Sequence, residues 1–393
     1  MRLAFVVQRY GLDIAGGAEY HCRLVAEHMA RHAEVEVLTT CAADYITWAN
    51  QYPEGLERLN GIPVRRFPVK RPRDIVRFAE WSDIVGREGH TEKQALRWLE
   101  EEGPLSPRLV RDIERRRAEF DFFIFFSYRY YTTYHGLRAA SDRALLVPTA
   151  EDDGICRVSV FPPFFRLPKA IAYNSLEERV MIEAASGNQG VPGDVVGVGS
   201  ALPERLDPED FRRRRGVEGR FILYVGRVDE NKGCRELFTY FRRYRDETRS
   251  PLRLVLIGKP VLPIPRDSGI VPLGFLPDQD KWNALAAADL LVMPSRYESL
   301  SMVTLEAWWA ERPVLANARC EVLRGQCQRS RAGLYYSTYE EFRETLALLE
   351  SDDALRHALG SSGRRYFDAH YAWDVIEKKY LQLLARAGTG RAA

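Results

Sequence analysis

Twice along this chain a short apolar run breaks off at glycine and gives way to a segment with helical spacing. That repetition constrains the fold more than any other feature. Residues 3–7 (Leu-Ala-Phe-Val-Val) lead through Gly11 and Gly16-Gly17 into residues 18–30, which carry Leu24, Val25, Ala26 and Met29 at helical spacing. Residues 221–225 (Phe-Ile-Leu-Tyr-Val) lead through Gly226 and Gly233 into a helix reaching about Tyr244. Strand, glycine loop and helix form the opening of a parallel α/β unit. Strand-length runs follow each opening: residues 35–40, 62–69 (entered through Asn60-Gly61), 122–126, 144–148 and 169–173 in the first half, then 252–257, 270–273 and 290–293. Ser175-Leu-Glu-Glu178 reads as a capping box at a helix start.

The predicted fold class is therefore α/β, with two Rossmann-like domains whose parallel sheets face a central cleft, where such folds bind ligands. The first domain is expected over residues 1–200, with a charged helical insertion at about 74–119. A proline- and charge-rich linker is read over 201–220 and the second domain over 221–366. A helical tail over 367–393, with Phe367, Tyr371, Trp373 and Ile376, closes the fold and crosses back to the first domain.

A chain of 393 residues has length for two such cores, and 46% apolar with 28% charged residues is a globular balance. Fifty-seven basic against 55 acidic residues leave a net charge of +2, too little to draw a polyanion, so nucleic acid is excluded as a partner. The six cysteines are scattered without zinc-type spacing, and no metal site is expected. No 18-residue apolar stretch could span a bilayer, and the N-terminal apolar run stops at Gln8-Arg9-Tyr10, too early for a signal peptide. The expectation is a cytoplasmic protein. Its one route to a membrane is peripheral contact at the inner face through the basic cluster Arg65, Arg66, Lys70, Arg71, Arg73 and Arg77, which otherwise reads as a solvated face.

The chemistry concentrates in the second half. Gly226-Arg227-Val-Asp-Glu-Asn-Lys232-Gly233 puts two cations beside a helix N-terminus, whose dipole and free N–H groups already favour an anion. This is the make-up of a diphosphate site, although a basic pair in a loop can also be plain solvated surface. Residues 290–295 form a strand and loop followed by Arg296-Tyr-Glu298-Ser-Leu-Ser-Met-Val-Thr-Leu-Glu306. Glu306, about two turns into a helix beginning near Ser301, points along an apolar surface and must find donors. A ribose diol supplies them, and so does a buried arginine. Glu298 precedes the helix, where it accepts from sugar hydroxyls or simply complements the dipole, while the N–H groups of Ser301, Met302 and Val303 face a phosphate.

The G-R-x-x-x-x-K-G loop together with Glu298 and Glu306, in an E-x7-E spacing, resembles the retaining glycosyltransferases of family 4, which have the GT-B fold. The resemblance runs from Gly16-Gly17-Ala-Glu19 to Trp373. It implies that Arg227 and Lys232 hold the diphosphate of a nucleotide sugar, UDP- or GDP-linked, with Glu306 on the ribose and Glu298 on the sugar. The base would lie near Gly258 and Gly274-Phe275-Leu276. Donor contacts are thus expected from Gly16, Gly17, Gly226, Gly258, Phe275, Leu276, Ser301, Met302, Val303 and Glu306. Two departures stand out. Leu300-Ser301 replaces the family's Phe-Gly, and Thr149-Ala-Glu151-Asp152-Asp153 stands where relatives carry a histidine, so Glu151 is the candidate there. Acceptor contacts fall to Tyr128, Arg129, His135 and Asp152, with the tyrosine-rich run 127–135 read either as a stacking platform or as a core edge. The implied activity is metal-independent transfer of a sugar to a hydroxyl of a glycan, a lipid-linked glycan or a small glycoside, without a cofactor. An epimerase of the same fold and a non-catalytic nucleotide-sugar-binding subunit are the alternatives.

Overall fold

The computed structural model describes residues 1–14, 16–267 and 269–389; the last four residues of the expected tail lie outside them. The chain forms two compact units. One comprises residues 1–199 with the segment from Trp373 onward, and the other Ser200–Ala372.

The first unit is built on eight strands: β1 (Arg2–Val6), β2 (Glu34–Thr40), β3 (Gly55–Leu59), β4 (Ile62–Phe67), β5 (Phe122–Phe126), β6 (Ala144–Val147), β7 (Ala170–Tyr173) and β8 (Gly193–Val195). Their order is β3-β4-β2-β1-β5-β6-β7-β8. Strands such as β5 and β6 are apolar throughout because helices cover both faces of a parallel sheet. The exception is β3, which pairs antiparallel with β4 at the sheet edge through Asn60 and Gly61, both with positive φ (49° and 81°), as a tight hairpin requires.

The insertion is three helices, Ile75–Val85, Glu92–Glu102 and Pro107–Arg115. Asp74 caps the first, and Thr91 with Gln94 forms a capping box on the second. Glu101 and Glu102, each 1% exposed, end that second helix and gather the neighbouring arginines. Arg71, Arg77 and Arg97 pair with Glu101, and Arg73 and Arg129 with Glu102. With Arg65 on Glu36 and Arg66 on Glu57, much of the charge of the 65–77 cluster is directed at the unit's own carboxylates.

The second unit carries β9 (Phe221–Val225), β10 (Arg253–Ile257), β11 (Ile270–Gly274), β12 (Leu290–Met293), β13 (Val314–Asn317) and β14 (Gly333–Tyr336), all parallel, in the order β11-β10-β9-β12-β13-β14. Ile222, Tyr224, Leu254, Leu256 and Val292 pack there with Leu237 and Phe241. Strand order reverses between β9 and β12, which makes the loops following these two strands the walls of a crevice.

The stretch read as a linker contains a helix, Pro208–Arg215, capped by Asp207. Phe211 is buried beneath it, and Arg214 and Arg215 both bind Asp280. At the other end of the chain, the Trp373–Thr389 helix packs on the Gly17–Met29 helix. His28 stacks on Trp373 with ring centroids 3.5 Å apart, and His28 Nδ1 and His32 Nε2 reach the Glu377 carboxylate at 2.6 and 2.7 Å. Among the described residues, no helix is long and apolar enough to cross a membrane.

Candidate functional site

The crevice of the second unit is shaped by glycines whose replacement would collide with backbone. Gly233 has φ 73°, and a β-carbon on it would stand 2.2 Å from the Pro294 carbonyl oxygen, so the loop after β9 lies directly on the end of β12. Gly258 has φ 143°, with the Gly226 oxygen 1.9 Å from the same imaginary atom. The loop ends are then tied: Gly226 N donates to Ile257 O at 2.9 Å and Gly258 N to Gly274 O at 2.8 Å. Both glycines serve close backbone approach.

On this frame the cations and carboxylates meet. Lys232 Nζ lies 2.8 Å from Glu298 Oε1, joining residues from the two loops at the switch point. Arg227 Nε donates to Asp229 Oδ2, and Asp229 Oδ1 accepts from Lys232 N at 2.8 Å. Asp229, 7% exposed, therefore holds the Arg227 guanidinium and the backbone of Lys232. It was not singled out in the sequence, where only its place inside the loop could have marked it. Gly233 starts the Cys234–Thr248 helix with no side-chain cap, so its N–H groups add to the positive potential. Two cations, two carboxylates and a helix N-terminus can hold a diphosphate and a polyol together.

At the next helix, Met302–Trp309, Ser301 sits in the left-handed region at φ 67°, and its Oγ lies 2.9 Å from Thr304 Oγ1 instead of capping a backbone N–H. The left-handed backbone explains why a glycine suits this place. Met302 and Val303 are half-buried. Glu306 is one turn into this helix, not two, and only 3% exposed. Its partner is not an arginine: Lys281 Nζ, from the Asp278–Ala287 helix, lies 2.7 Å from Glu306 Oε1. Burial pushes the Glu306 carboxyl up, against the pull of Lys281. Beside β11, Phe275 is 73% exposed and Leu276 only 6%, which leaves the phenyl ring, not the leucine, as the side chain a base could meet.

The first-unit residues form separate sets. Gly16 and Gly17 begin the Gly17–Met29 helix, but a β-carbon on Gly16 would stand 2.1 Å from Glu19 Oε2, so the chain's own carboxylate occupies that mouth, paired with Arg9 at 2.6 Å. Tyr128 requires a correction: at 2% exposure its ring packs against Phe161 and Phe165, centroids 4.8 and 5.2 Å away, and has no face for an acceptor. The core-edge reading of this tyrosine holds. Arg129 bridges Glu102 and Asp153 at 2.8 and 3.0 Å, and Asp152 pairs with Arg157 at 3.0 Å. His135 lies between Tyr131 and Tyr134, and burial lowers its pKa to about 4, so it is neutral at pH 7. Glu151 is half-buried and follows Thr149, whose φ is 49°. Thr149 Oγ1 lies 2.8 Å from Oγ of Ser127, another left-handed residue. Sequence reasoning read Glu178 only as a cap. Its carboxylate, 1% exposed, instead accepts from Ala150 N and Asn174 N at 2.5 Å each and so fixes the loop bearing Glu151.

Residues 207–366 match the family model of the glycosyl transferases group 1. The whole chain takes the GT-B fold: it superimposes on sucrose-phosphate synthase from Thermosynechococcus elongatus with a TM-score of 0.73 at 16% identity, covering 99% of both chains. HepE from Anabaena, solved in complex with UDP-glucose, gives 0.68 at 15% identity over 98% of this chain and 99% of that one. A GDP-mannose-dependent monoacylated phosphatidylinositol monomannoside mannosyltransferase of Corynebacterium glutamicum is 30% identical over 119 residues, 28% of this chain and 31% of that protein. The chain thus spans about a third of that curated relative.

Proposed function

We propose that this protein is a retaining glycosyltransferase that moves a sugar from a UDP- or GDP-linked donor to a hydroxyl of a glycan, lipid-linked glycan or small glycoside. The observation that carries the reading is the 2.8 Å meeting of Lys232 and Glu298 at the strand-order reversal, between two helix N-termini. Arg227, Lys232 and the helix dipoles stabilise the diphosphate as the glycosidic bond breaks, Glu298 accepts from the sugar, and Glu306 accepts from the ribose. Two positive side chains and the helix ends take the charge-neutralising part that a divalent metal plays elsewhere, so transfer needs no metal. The place of action is the cytoplasmic side, where nucleotide sugars are supplied.

The test incubates purified protein with UDP-, GDP- and ADP-sugars with and without oligosaccharide or glycolipid acceptors, in the presence of a chelator. Expected are a nucleoside diphosphate released in step with acceptor, and a product whose anomeric configuration by NMR equals that of the donor. Formation of an epimeric nucleotide sugar without nucleotide release would make it an epimerase. Tight donor binding with neither outcome would make it a binding subunit.

A further inference from the structure

Glu306 is buried at 3% exposure, on a helix whose surroundings are otherwise apolar, and a lone ionised carboxylate is costly in such a place. Its direct side-chain partner among the described residues is Lys281 Nζ at 2.7 Å, and Lys281 is itself only 14% exposed and lies 5.3 Å from the Trp282 ring centroid. The groups around the pair are few. Asp278, on the same helix as Lys281, lies 3.7 Å from the ammonium and pushes the Glu306 carboxyl up. The helix Asp353–His370 packs on the Glu306 helix and sends Arg364 to the carbonyl of Trp309 at its far end. Strands β12 and β13 offer Leu-Leu-Val-Met and Val-Leu-Ala-Asn, none titratable. Lys232 and Glu298 neutralise one another in the preceding loop. Lys281 is therefore the cation on which the charge of Glu306 depends.

We propose that Lys281 is a positioning residue of the nucleotide site, whose ammonium holds the Glu306 carboxylate as an acceptor, in the orientation a ribose diol needs. This rests on the reading of Glu306 as the ribose partner. A diol donates two O–H groups, which an ionised carboxylate accepts with its two oxygens, whereas protonation turns one of those oxygens into a donor. Burial raises the carboxyl's pKa and Lys281 lowers it, so removing Lys281 moves the proton's departure to higher pH. Nucleotide affinity would then fall at the acid end and return as the pH rises.

The experiment measures the dissociation constant of free UDP and GDP by calorimetry between about pH 6 and pH 8.5 for the wild type, Lys281→Met, Lys281→Arg and Glu306→Gln. Expected is a near-flat profile for the wild type and for Lys281→Arg. For Lys281→Met, affinity should be about tenfold weaker at the acid end and recover toward wild type at the alkaline end, one pKa unit being a factor of ten. Glu306→Gln should be weak at every pH. A flat, wild-type-like Lys281→Met overturns the proposal, and so does a loss equal at all pH values, which would mean that Lys281 touches the ligand or only packs. If Glu306→Gln binds as wild type, it is the ribose reading that fails. Carboxyl carbon NMR of Glu306 in the protein without nucleotide gives a second measure: its titration should move to higher pH in Lys281→Met, and an unmoved titration overturns the proposal even if no nucleotide binds.

Discussion

Both units open with a strand, a glycine-bearing loop and a helix, yet they treat the mouth of that helix in opposite ways. In the first, the carboxylate of Glu19 folds back over Gly16 and is locked to Arg9, with both residues under 9% exposed. In the second, Gly233 leaves the helix start without a side-chain cap, and the basic residues beside it are part exposed, 49% for the Arg227 side chain and 29% for that of Lys232. The dipole favours an anion at either mouth. One unit has built its own anion into the core, and the other presents cations to whatever anion arrives. A shared local plan thus yields a structural anchor in one case and a ligand site in the other, and the difference lies in burial and charge, not in backbone course.

The largest effect should come from breaking the anchor. Glu19→Ala leaves the Arg9 guanidinium buried without a paired carboxylate among the described residues, with the Ala43 carbonyl at 2.9 Å and the Tyr45 and Trp48 rings at 5.3 and 5.7 Å, so a stability loss of about 3–5 kcal/mol is expected in urea unfolding, the usual cost of orphaning a buried charge. Nucleotide affinity should not change where the variant is folded. A loss below about 1 kcal/mol would show that the pair merely fills space.

Next come the cations of the second mouth. Arg227→Ala and Lys232→Ala should each lower transfer about a hundredfold, the scale of one lost transition-state donor, with native circular dichroism. Both cations are part exposed, unlike Arg9 and Glu19, so the stability loss should be smaller than for Glu19→Ala. Near-wild-type turnover in both would remove the leaving-group role and make the two mouths alike.

Smaller and more selective is Glu298→Gln. It keeps the shape and gives up charge-assisted hydrogen bonds, so sugar-nucleotide affinity should fall about tenfold while the free nucleoside diphosphate binds as before. Glu306→Gln should weaken both ligands. Calorimetric titration of each variant with each ligand separates the two carboxylates. If Glu298→Gln weakens both ligands equally, its work is to hold Lys232 and not the sugar.

How much of this was legible in the sequence depends on the distance over which each feature is decided. Strand β9, its glycine loop and the Glu298–Glu306 spacing are local patterns, and they read directly. The partners are not local: Lys281 reaches Glu306 across 25 residues and Lys232 reaches Glu298 across 66. The burial of Tyr128 is settled by Phe161 and Phe165, which arrive from a later segment, so a cleft-facing ring and a core ring look the same in sequence. Strand β3 (Gly-Leu-Glu-Arg-Leu) is largely exposed at the sheet edge and has no apolar run to announce it. The 201–220 stretch reads as linker by composition, yet it holds a helix capped by Asp207, with Phe211 buried and Arg214 and Arg215 tied to Asp280 some 65 residues away.

The smallest effect belongs to Ser301, and it sharpens the comparison because it separates backbone from side chain at the second mouth. At φ 67° a serine bears left-handed strain of about 1–2 kcal/mol, partly offset by the 2.9 Å contact of its hydroxyl with Thr304. Ser301→Gly relieves the strain, loses the contact and adds about 0.5–1 kcal/mol of unfolded-state freedom, so its stability should lie within about 1 kcal/mol of wild type. Ser301→Ala keeps the strain and loses the contact, and should fall about 1 kcal/mol below wild type. Urea midpoints of the three proteins give the ordering directly. If the glycine variant is the least stable, the hydroxyl network and not the backbone governs this turn. The donor N–H groups of the Met302–Trp309 helix would then depend on a side chain for their placement, as the first unit's loop depends on Glu19.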